Sequence, residues 1–224
     1  MLTVRNMTFS YAEPVLEEAC FVFKPGKLYF LLARNGAGKS TLFKLLAGEL
    51  QASSGEIHMT ENLIFHRQQP VYFEDMTVRE NIECFLQLLK TKARYEELRD
   101  EYHLESIESK IARKLSGGEK QRLYLALTGM SDAGIQLYDE ADAALDAGAR
   151  QQYYQEVLQR NASEGRIVIA ISHHISESLK YADRICVLTE RKLYEVDPAE
   201  LPQELADLNE DKIMEYIERV CMQP

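Results

Sequence analysis

A lysine and two hydroxyl residues stand at the end of a short segment of small residues, between two apolar stretches. The segment reads Ala33-Arg34-Asn35-Gly36-Ala37-Gly38-Lys39-Ser40-Thr41. Residues 28–32 before it are typical of a buried strand, and residues 42–47 after it have a helical pattern. Small residues let backbone N–H groups converge on an anion, and the N-terminus of the following helix favours negative charge. We therefore expect this phosphate loop, residues 33–41, to bind a nucleoside triphosphate, with Lys39 at the β- and γ-phosphates and the Ser40 hydroxyl on Mg²⁺.

The first position of the phosphate loop departs from the usual glycine. Ala33 occupies it, and alanine has little freedom at positive φ. The loop is therefore expected to begin in a conformation that alanine tolerates, and a lowered nucleotide affinity is compatible with this change. A glycine turn around an unrelated lysine is the alternative interpretation, which the flanking strand and helix disfavour.

Two adjacent carboxylates follow another apolar strand, residues 135–138. We expect this strand to lie next to the strand that enters the phosphate loop, because a carboxylate there can hold Mg²⁺. Asp139 is the predicted magnesium ligand, and Glu140 is then placed to polarise an attacking water as general base. Considered alone, the pair is weak evidence, because an apolar run followed by Asp-Glu is usually a strand that enters a polar loop. The phosphate loop upstream favours the metal-site interpretation.

A second helix start has the composition of an anion site. The string Leu115-Ser116-Gly117-Gly118-Glu119 precedes a helical pattern at residues 123–127. Serine caps a helix, and the glycines leave N–H groups open to an anion. An ordinary helix cap is the alternative, which two such helix starts in one chain disfavour.

The remaining pattern predicts an α/β chain with a helical insertion. Strands are expected at 3–11, 19–23, 28–32, 56–59, 135–138 and 167–171, and a hairpin at 184–188 and 192–196. Helices are expected at 42–47, after a capping box at 77–80, at 93–102, 105–114 and 147–160, and over the last two dozen residues. We expect one domain over residues 1–224, with an α/β core at about 1–75 and 116–195, a helical subdomain at about 76–115 and a C-terminal helical tail at about 196–224.

The amino-acid composition disfavours several classes of protein and of site. A net charge of −10 and a pI near 5.1 disfavour a nucleic-acid binder that relies on a basic face. The four cysteines are widely separated, which disfavours a disulfide framework or a zinc site. The N-terminus lacks an apolar signal core, and no apolar run approaches the roughly 20 residues that span a bilayer. A cytoplasmic chain is expected.

Taken in order along the chain, these motifs resemble those of the ATP-binding subunits of ATP-binding cassette (ABC) transporters, over essentially the whole length. Residues 33–41 match the Walker A loop, and Asp139 with Glu140 matches Walker B and the catalytic glutamate. Residues 115–119 match the signature motif, with Glu119 in place of its glutamine.

The resemblance implies roles for further residues. Tyr11 corresponds to the aromatic residue that stacks on adenine, and Gln68 to the glutamine that contacts Mg²⁺ and the attacking water, with Gln69 as a less favoured alternative. Asp146 ends the D-loop, residues 143–146, and His173 corresponds to the switch histidine. The implied catalytic set is Glu140, His173, Gln68 and Lys39, the implied magnesium ligands are Ser40, Gln68 and Asp139, and the implied contacts to the partner's ATP are Ser116, Gly117, Gly118 and Glu119.

The resemblance also implies a fold and a function. The fold would be a P-loop NTPase with a RecA-like core, an antiparallel β edge and an inserted helical subdomain. The function would be ATP hydrolysis that powers a transporter, with ATP and Mg²⁺ held between two subunits that meet head to tail as a homodimer or a heterodimer. Separate transmembrane permease subunits would hold the chain at the inner face of the cell membrane. A soluble ABC-type ATPase that acts on a protein assembly is the alternative, as is a regulator that binds ATP without turnover.

Three further positions depart from the family pattern. Ala141 and Asp142 replace a proline and a threonine after the catalytic glutamate. Without the proline ring we expect a more mobile turn, with an added negative charge near the site and slower hydrolysis. His174 stands where aspartate is usual, and is expected to be exposed and not catalytic.

Overall fold

The computed structural model describes residues 1–67, 72–143 and 145–222, apart from the side chains of residues 206 and 207. By its internal contacts the chain divides into two units. The first comprises Met1–Gln68, Ala133–Ala143 and Leu158–Pro224, and the second comprises Gln69–Asp132 and Ala144–Val157.

All nine described strands lie in the first unit, where they form two sheets. In chain order they are β1 (Leu2–Ser10), β2 (Pro14–Phe23), β3 (Lys27–Leu32), β4 (Ser54–Met59), β5 (Leu63–His66), β6 (Ile135–Asp139), β7 (Ile167–Ile171), β8 (Arg184–Thr189) and β9 (Lys192–Val196). The smaller sheet has the order β2-β1-β4 and is antiparallel. The larger has the order β5-β6-β7-β3-β8-β9, parallel except for the edge strand β9. The predicted α/β class with an antiparallel edge is confirmed.

The helices are divided between the units. In chain order they are α1 (Lys39–Leu46), α2 (Val78–Leu89), α3 (Tyr95–Glu101), α4 (Gly117–Gly129), α5 (Ala147–Gln152), α6 (Arg160–Ser163), α7 (Ile175–Tyr181) and α8 (Glu210–Cys221). A π-helical stretch, Tyr153–Gln159, joins α5 to α6, so the predicted helix at 147–160 is present as three segments. None of the described helices is both long enough and apolar enough to cross a bilayer.

The strand order corrects one expectation. We expected the strand before Asp139 to lie next to β3, but β7 lies between β6 and β3. The reason is the burial of β7: all of its residues are inaccessible, as are Leu28–Leu32 of β3. Such continuous apolar strands occupy the middle of a parallel sheet. Asp139 still reaches the same edge, because its register partner is Ile171, the last residue of β7.

The first strand departs from the predicted alternation. Strict alternation along residues 3–11 predicts that Arg5 shares a face with Met7 and Phe9, whereas the structure buries Val4 and Met7 and exposes Arg5. Asn6 has a φ of 46°, and the pairing of β1 with β2 shifts register between Val4 and Met7. A bulge adds one residue between Val4 and Met7, so both side chains face the core although they are three positions apart.

The second unit is larger than the predicted helical subdomain, and one of the helices predicted for that subdomain is absent from it. The helix expected at 105–114 is absent except for a 3₁₀ turn, Ala112–Lys114. Carbonyl groups of this segment bind α2 instead: those of Glu108 and Lys110 accept hydrogen bonds from the first N–H groups of α2, at 3.0 Å each. The unit also includes α4 and residues 144–157, which the sequence had assigned to the α/β core.

Gly55 offers a test of the packing between β1 and β4. Its φ is +87°, and a Cβ there would lie 2.4 Å from the Asn6 carbonyl oxygen. Gly165 has the same φ of +87° but would meet nothing within 4 Å. We expect Gly165→Ala to lower the free energy of unfolding by about 1–2 kcal/mol through backbone strain alone. Gly55→Ala should lower it by a further 1–3 kcal/mol or so, because the added methyl overlaps a backbone atom.

Urea unfolding of the two alanine variants and the parent chain measures both effects. Equal destabilisation at the two positions would contradict the close approach of Gly55 to β1.

Candidate functional site

The phosphate loop connects β3 to α1, and its glycines adopt conformations that other residues avoid. Gly36 and Gly38 have φ values of 78° and 109°. A Cβ on Gly38 would lie 2.4 Å from the Cγ1 atom of Val15, so this position requires glycine. Ala33 is buried and is not among the described residues with positive φ. The expectation that alanine suits the first position is therefore confirmed.

Lys39 is folded over the loop that precedes it. Its ammonium group donates to the carbonyl oxygens of Ala33, at 2.9 Å, and Arg34, at 3.5 Å. Burial lowers the pKa of Lys39, and the carboxylates of Glu140 and Asp139 act in the opposite direction. The lysine is thus half-buried and held by carbonyl groups that a phosphate oxygen can replace.

Ser40, which follows β3, contacts Asp139 at the end of β6, although β7 lies between these two strands. The Ser40 hydroxyl donates to the Oδ1 atom of Asp139 at 3.4 Å. Burial raises the pKa of Asp139; the Ser40 hydrogen bond and Lys39 lower it, while Glu140 raises it further. A hydroxyl and a carboxylate oxygen are the hard donors that Mg²⁺ prefers. The pair therefore fits the predicted metal site.

Glu140 is paired with His173. The Nε2 atom of His173 lies 2.8 Å from the Oε1 atom of Glu140, whose side chain is 19% exposed. The backbone of Glu140 has a φ of 51°, and its N–H group donates to the Ile171 carbonyl at 3.0 Å. Left-handed backbone at a residue other than glycine persists where neighbouring contacts fix it. The strand-end contact to β7 supplies this restraint and directs the carboxylate towards His173.

The turn after Glu140 is restrained in a way that the sequence did not indicate. We expected the missing proline to loosen it and Asp142 to add charge near the site. Instead Asp142 is buried, and its Oδ2 atom accepts from the Ser172 hydroxyl at 2.5 Å. The same hydroxyl accepts from the N–H group of His174 at 2.9 Å. These bonds tie the turn after Glu140 to the segment that carries His173.

His174 is also placed differently from the expectation. It is half-buried and precedes α7, where its carbonyl group accepts from both the N–H and the hydroxyl group of Ser178, at 2.9 Å each. Its backbone therefore has a structural role at the start of α7. A sequence-based search for catalytic residues would not detect this role.

A cavity of about 300 Å³ opens beside the phosphate loop. Its lining includes Arg34, Asn35, Lys39, His173, Glu210 and Met214. Arg34 points to α8, where its guanidinium binds the carboxylate of Glu218 with two bonds at 2.9 and 2.7 Å. The sequence predicted α8 as an amphipathic helix, but gave no sign that it borders the loop.

The structure leaves two predicted contacts to nucleotide or water untested, those of Tyr11 and Gln68. Tyr11 is 58% exposed, with its ring packed edge-on against Phe9 at 4.9 Å. The ring is therefore accessible, and its stacking on adenine stays a prediction. Gln68 and its alternative Gln69 lie outside the residues that the structure describes, and their roles stay predictions as well.

The second unit carries the signature motif at the start of α4. Ser116 caps the helix: its hydroxyl accepts from the N–H of Glu119 at 3.4 Å, and the N–H of Ser116 donates to Glu119 Oε2 at 2.9 Å. The Oε1 atom of Glu119 lies 2.6 Å from the ammonium group of Lys110. Hydrogen bonds from Lys110 and from the Ser116 backbone lower the pKa of Glu119 to about 2. Asp146, in the same unit, caps α5 by accepting from the N–H of Ala149 at 2.9 Å.

Solved structures with this architecture are known. One, titled "Structure of ATP binding subunit of ABC transporter", aligns over 98% of this chain and 99% of its own, with a TM-score of 0.80 and 22% identity. Another, a putative metal-chelate type ABC transporter in an inward-facing conformation, aligns over 88% of this chain and 83% of its own, with a TM-score of 0.73 and 22% identity. These likenesses confirm the predicted fold.

Sequence comparison identifies relatives with higher identity. The chain is 34% identical over 218 residues to the Fe(3+) ions import ATP-binding protein FbpC 2 of Haemophilus influenzae, covering 88% of this chain and 61% of that protein. It is 30% identical over 207 residues to the sulfate/thiosulfate import ATP-binding protein CysA 1 of Agrobacterium fabrum, covering 84% of this chain and 60% of that protein. The chain therefore spans about three fifths of the length of these relatives. The model of the family described as "ABC transporter" matches residues 16–143, and the chain belongs to this family.

Proposed function

We propose that this chain is the ATP-binding and ATP-hydrolysing subunit of an ABC transporter. The observation that carries the proposal is the convergence of three strand ends in the first unit. They bring Ser40 against Asp139, at 3.4 Å, and His173 against Glu140, at 2.8 Å, beside the phosphate loop. Family membership alone would not require these pairs to be intact.

Triphosphate binding uses the phosphate loop and the N-terminus of α1. The N–H groups of the loop and the positive end of the helix surround the β- and γ-phosphates. Lys39 exchanges its bonds to the Ala33 and Arg34 carbonyls for bonds to phosphate oxygens. Ser40 and Asp139 would hold Mg²⁺, which supplies neutralisation of the phosphate charge when bound. Gln68 joins them on the evidence of the family resemblance.

Hydrolysis uses the carboxylate of Glu140. Its oxygens accept hydrogen bonds, so the ionised group can orient a water molecule and take its proton as the water attacks the γ-phosphate. The Nε2 atom of His173 lies 2.8 Å from this carboxylate and restricts its direction. The Asp142–Ser172 hydrogen bond keeps the turn after Glu140 and the His173 segment in one arrangement.

The subunit acts together with a second ATPase subunit and with permease subunits. Two ATPase subunits meet head to tail, so that the ATP bound by Lys39 of one is also contacted by the Ser116 helix start of the other. Hydrolysis removes the γ-phosphate and with it that contact, which reopens the pair. The subunit binds separate permease subunits and is thereby peripheral at the inner face of the membrane.

Phe73 supports the proposed attachment to a permease. Its side chain is 43% exposed, while its backbone is fixed by the buried Asn81: the amide accepts from the N–H of Phe73 at 2.7 Å and donates to its carbonyl at 3.0 Å. We infer that the permease buries this exposed ring, whose backbone is already held in place.

Glu140→Gln tests the general base. The amide keeps the shape of the side chain but cannot take a proton, so we expect ATP hydrolysis to fall by about 10²–10⁴-fold. ATP binding should be retained, and an ATP-bound dimer should accumulate. Phosphate release and light scattering measure the two effects, with Glu17→Gln, in an exposed ion pair with Arg191, as control. Parent-like turnover in Glu140→Gln would remove Glu140 from this role.

Ser116→Arg tests the head-to-tail arrangement. Ser116 lies in the second unit, away from the chain's own phosphate loop in sequence, and contacts only the nucleotide of the partner under this proposal. Introduced into Glu140→Gln, the bulky side chain should leave ATP binding by the monomer unchanged and abolish the ATP-dependent dimer. Ser163→Arg, at an exposed site of the first unit, is the control. A parent-like dimer fraction for Ser116→Arg argues against the arrangement.

Phe73→Glu tests the permease contact. The charge should block co-purification with the membrane subunits, because it would have to be desolvated in an apolar interface. ATP binding by the isolated chain should remain. Leu88→Glu is the matched control, since Leu88 is 63% exposed in the same unit. Normal co-purification of Phe73→Glu, or equal loss in both variants, is the result that contradicts this contact.

A further inference from the structure

The signature helix of this chain carries a negative charge at the end that is proposed to meet a triphosphate. Glu119 is the third residue of α4, where the family pattern has an uncharged glutamine. The N-terminus of a helix contributes only about half a positive charge. One carboxylate outweighs it, so the motif requires a compensating cation if it is to accept a polyphosphate.

Lys110 supplies this cation at close range. Its ammonium group lies 2.6 Å from the Oε1 atom of Glu119, while Oε2 accepts from the N–H of Ser116 at 2.9 Å. Both oxygens of the carboxylate are therefore engaged. The same contacts hold the pKa of Glu119 near 2, so the group is ionised at neutral pH.

The backbone around Lys110 is fixed by the start of α2. The Lys110 carbonyl accepts from the N–H of Val78 at 3.0 Å, and its own N–H donates to the carbonyl of Ile107 at 2.9 Å. The next residue, Ile111, forms a β-bridge with Thr77, the N-cap of α2. Lys110 is thus presented from an anchored segment, and its pairing with Glu119 needs only the side chain to be ordered.

The two glycines at the start of α4 lie at the surface of the second unit. Gly117 and Gly118 are exposed, and a Cβ built on either would meet nothing within 4 Å. The capping box uses the N–H groups of Ser116 and Glu119. The two glycines thus place no side chain beside the helix start, and the attraction of an anion there depends on the charge balance between Glu119 and Lys110.

We propose that Lys110 is a positioning residue of the signature motif, which neutralises Glu119 so that the start of α4 attracts the triphosphate bound by a second copy of this chain. The inference rests on the proposed function, because it requires ATP to bridge two copies. It assigns to Lys110 no contact with the nucleotide. Its effect is exerted through the carboxylate of Glu119.

A double-mutant cycle in the Glu140→Gln chain tests this role, with Mg²⁺ and ATP as the probe and dimer affinity from sedimentation as the measurement. Lys110→Ala should weaken the ATP-dependent dimer about tenfold, and the defect should shrink as salt screens the exposed charge. Glu119→Gln should dimerise at least as well as the Glu140→Gln chain. The double variant Lys110→Ala, Glu119→Gln should recover to within about threefold of Glu119→Gln, since no carboxylate then needs compensation.

Controls separate charge from structure. Lys92→Ala removes an exposed lysine of the same unit and should have no effect. Lys110→Arg keeps the charge and should dimerise like the Glu140→Gln chain, which tests the inference even if Lys110→Ala does not fold. Monomer ATP binding and the thermal midpoint check that each variant is intact.

Three outcomes overturn the inference alone: a parent-like dimer in Lys110→Ala, a double variant as weak as Lys110→Ala, or a loss in Lys110→Arg as large as that in Lys110→Ala. Absence of any ATP-dependent dimer in Glu140→Gln itself would overturn the proposed function and the inference with it.

Discussion

The parallel pairing of β3, β6 and β7 is the constraint on which the catalytic group of the first unit depends. Parallel strands deliver their carboxyl ends to one edge of a sheet. The registers place Asp139 opposite Ile171 and Tyr29 opposite Ile169. The residues that follow each strand therefore emerge together, whatever their separation in sequence. No contact between side chains could assemble this group without the backbone ladder beneath it.

Charge balance at this edge follows from the same constraint. Burial lowers the pKa of Lys39, and the nearby carboxylates partly oppose this effect. Burial raises the pKa of Asp139, and Ser40 and Lys39 partly oppose it. Lys39 and Asp139 are therefore both only partly solvated at this edge of the sheet. A bound triphosphate adds negative charge to this group, so the oxygen donors Ser40 and Asp139 suit the cation that accompanies the nucleotide.

Local sequence patterns predicted most of the strands and helices. They could not predict the order of the strands, which depends on pairing between distant segments. Continuous apolar runs identified β3 and β7, and spaced motifs identified the phosphate loop and α4. The position of β7 between β3 and β6 depends on which strands pair, which no local pattern records. β5 was missed because it has only four residues, all half-buried. The bulge at Asn6 depends on a positive φ that its neighbours impose.

The candidate site shows the same division. Lys39, Ser40, Asp139, Glu140 and His173 were predicted from motif positions. Asp142 and Ser172 are 30 residues apart, and their hydrogen bond exists only because two strand ends converge. Lys110 lies in a segment that the pattern assigned to a helix. It faces Glu119 because the carbonyl groups of that segment instead accept hydrogen bonds from the first N–H groups of α2.

The N-termini of α1 and α4 both have the composition of an anion site, but the lysine near each has a different partner in the structure without nucleotide. Lys39 is bonded to carbonyl groups of its own loop, and neutral acceptors of this kind are exchanged for phosphate oxygens with a gain in charge pairing. Lys110 is bonded to a carboxylate, and leaving it would expose an uncompensated charge at the helix end. Lys39 is therefore suited to move towards the nucleotide. Lys110 is suited to stay in place, which is what a residue that acts only through Glu119 must do.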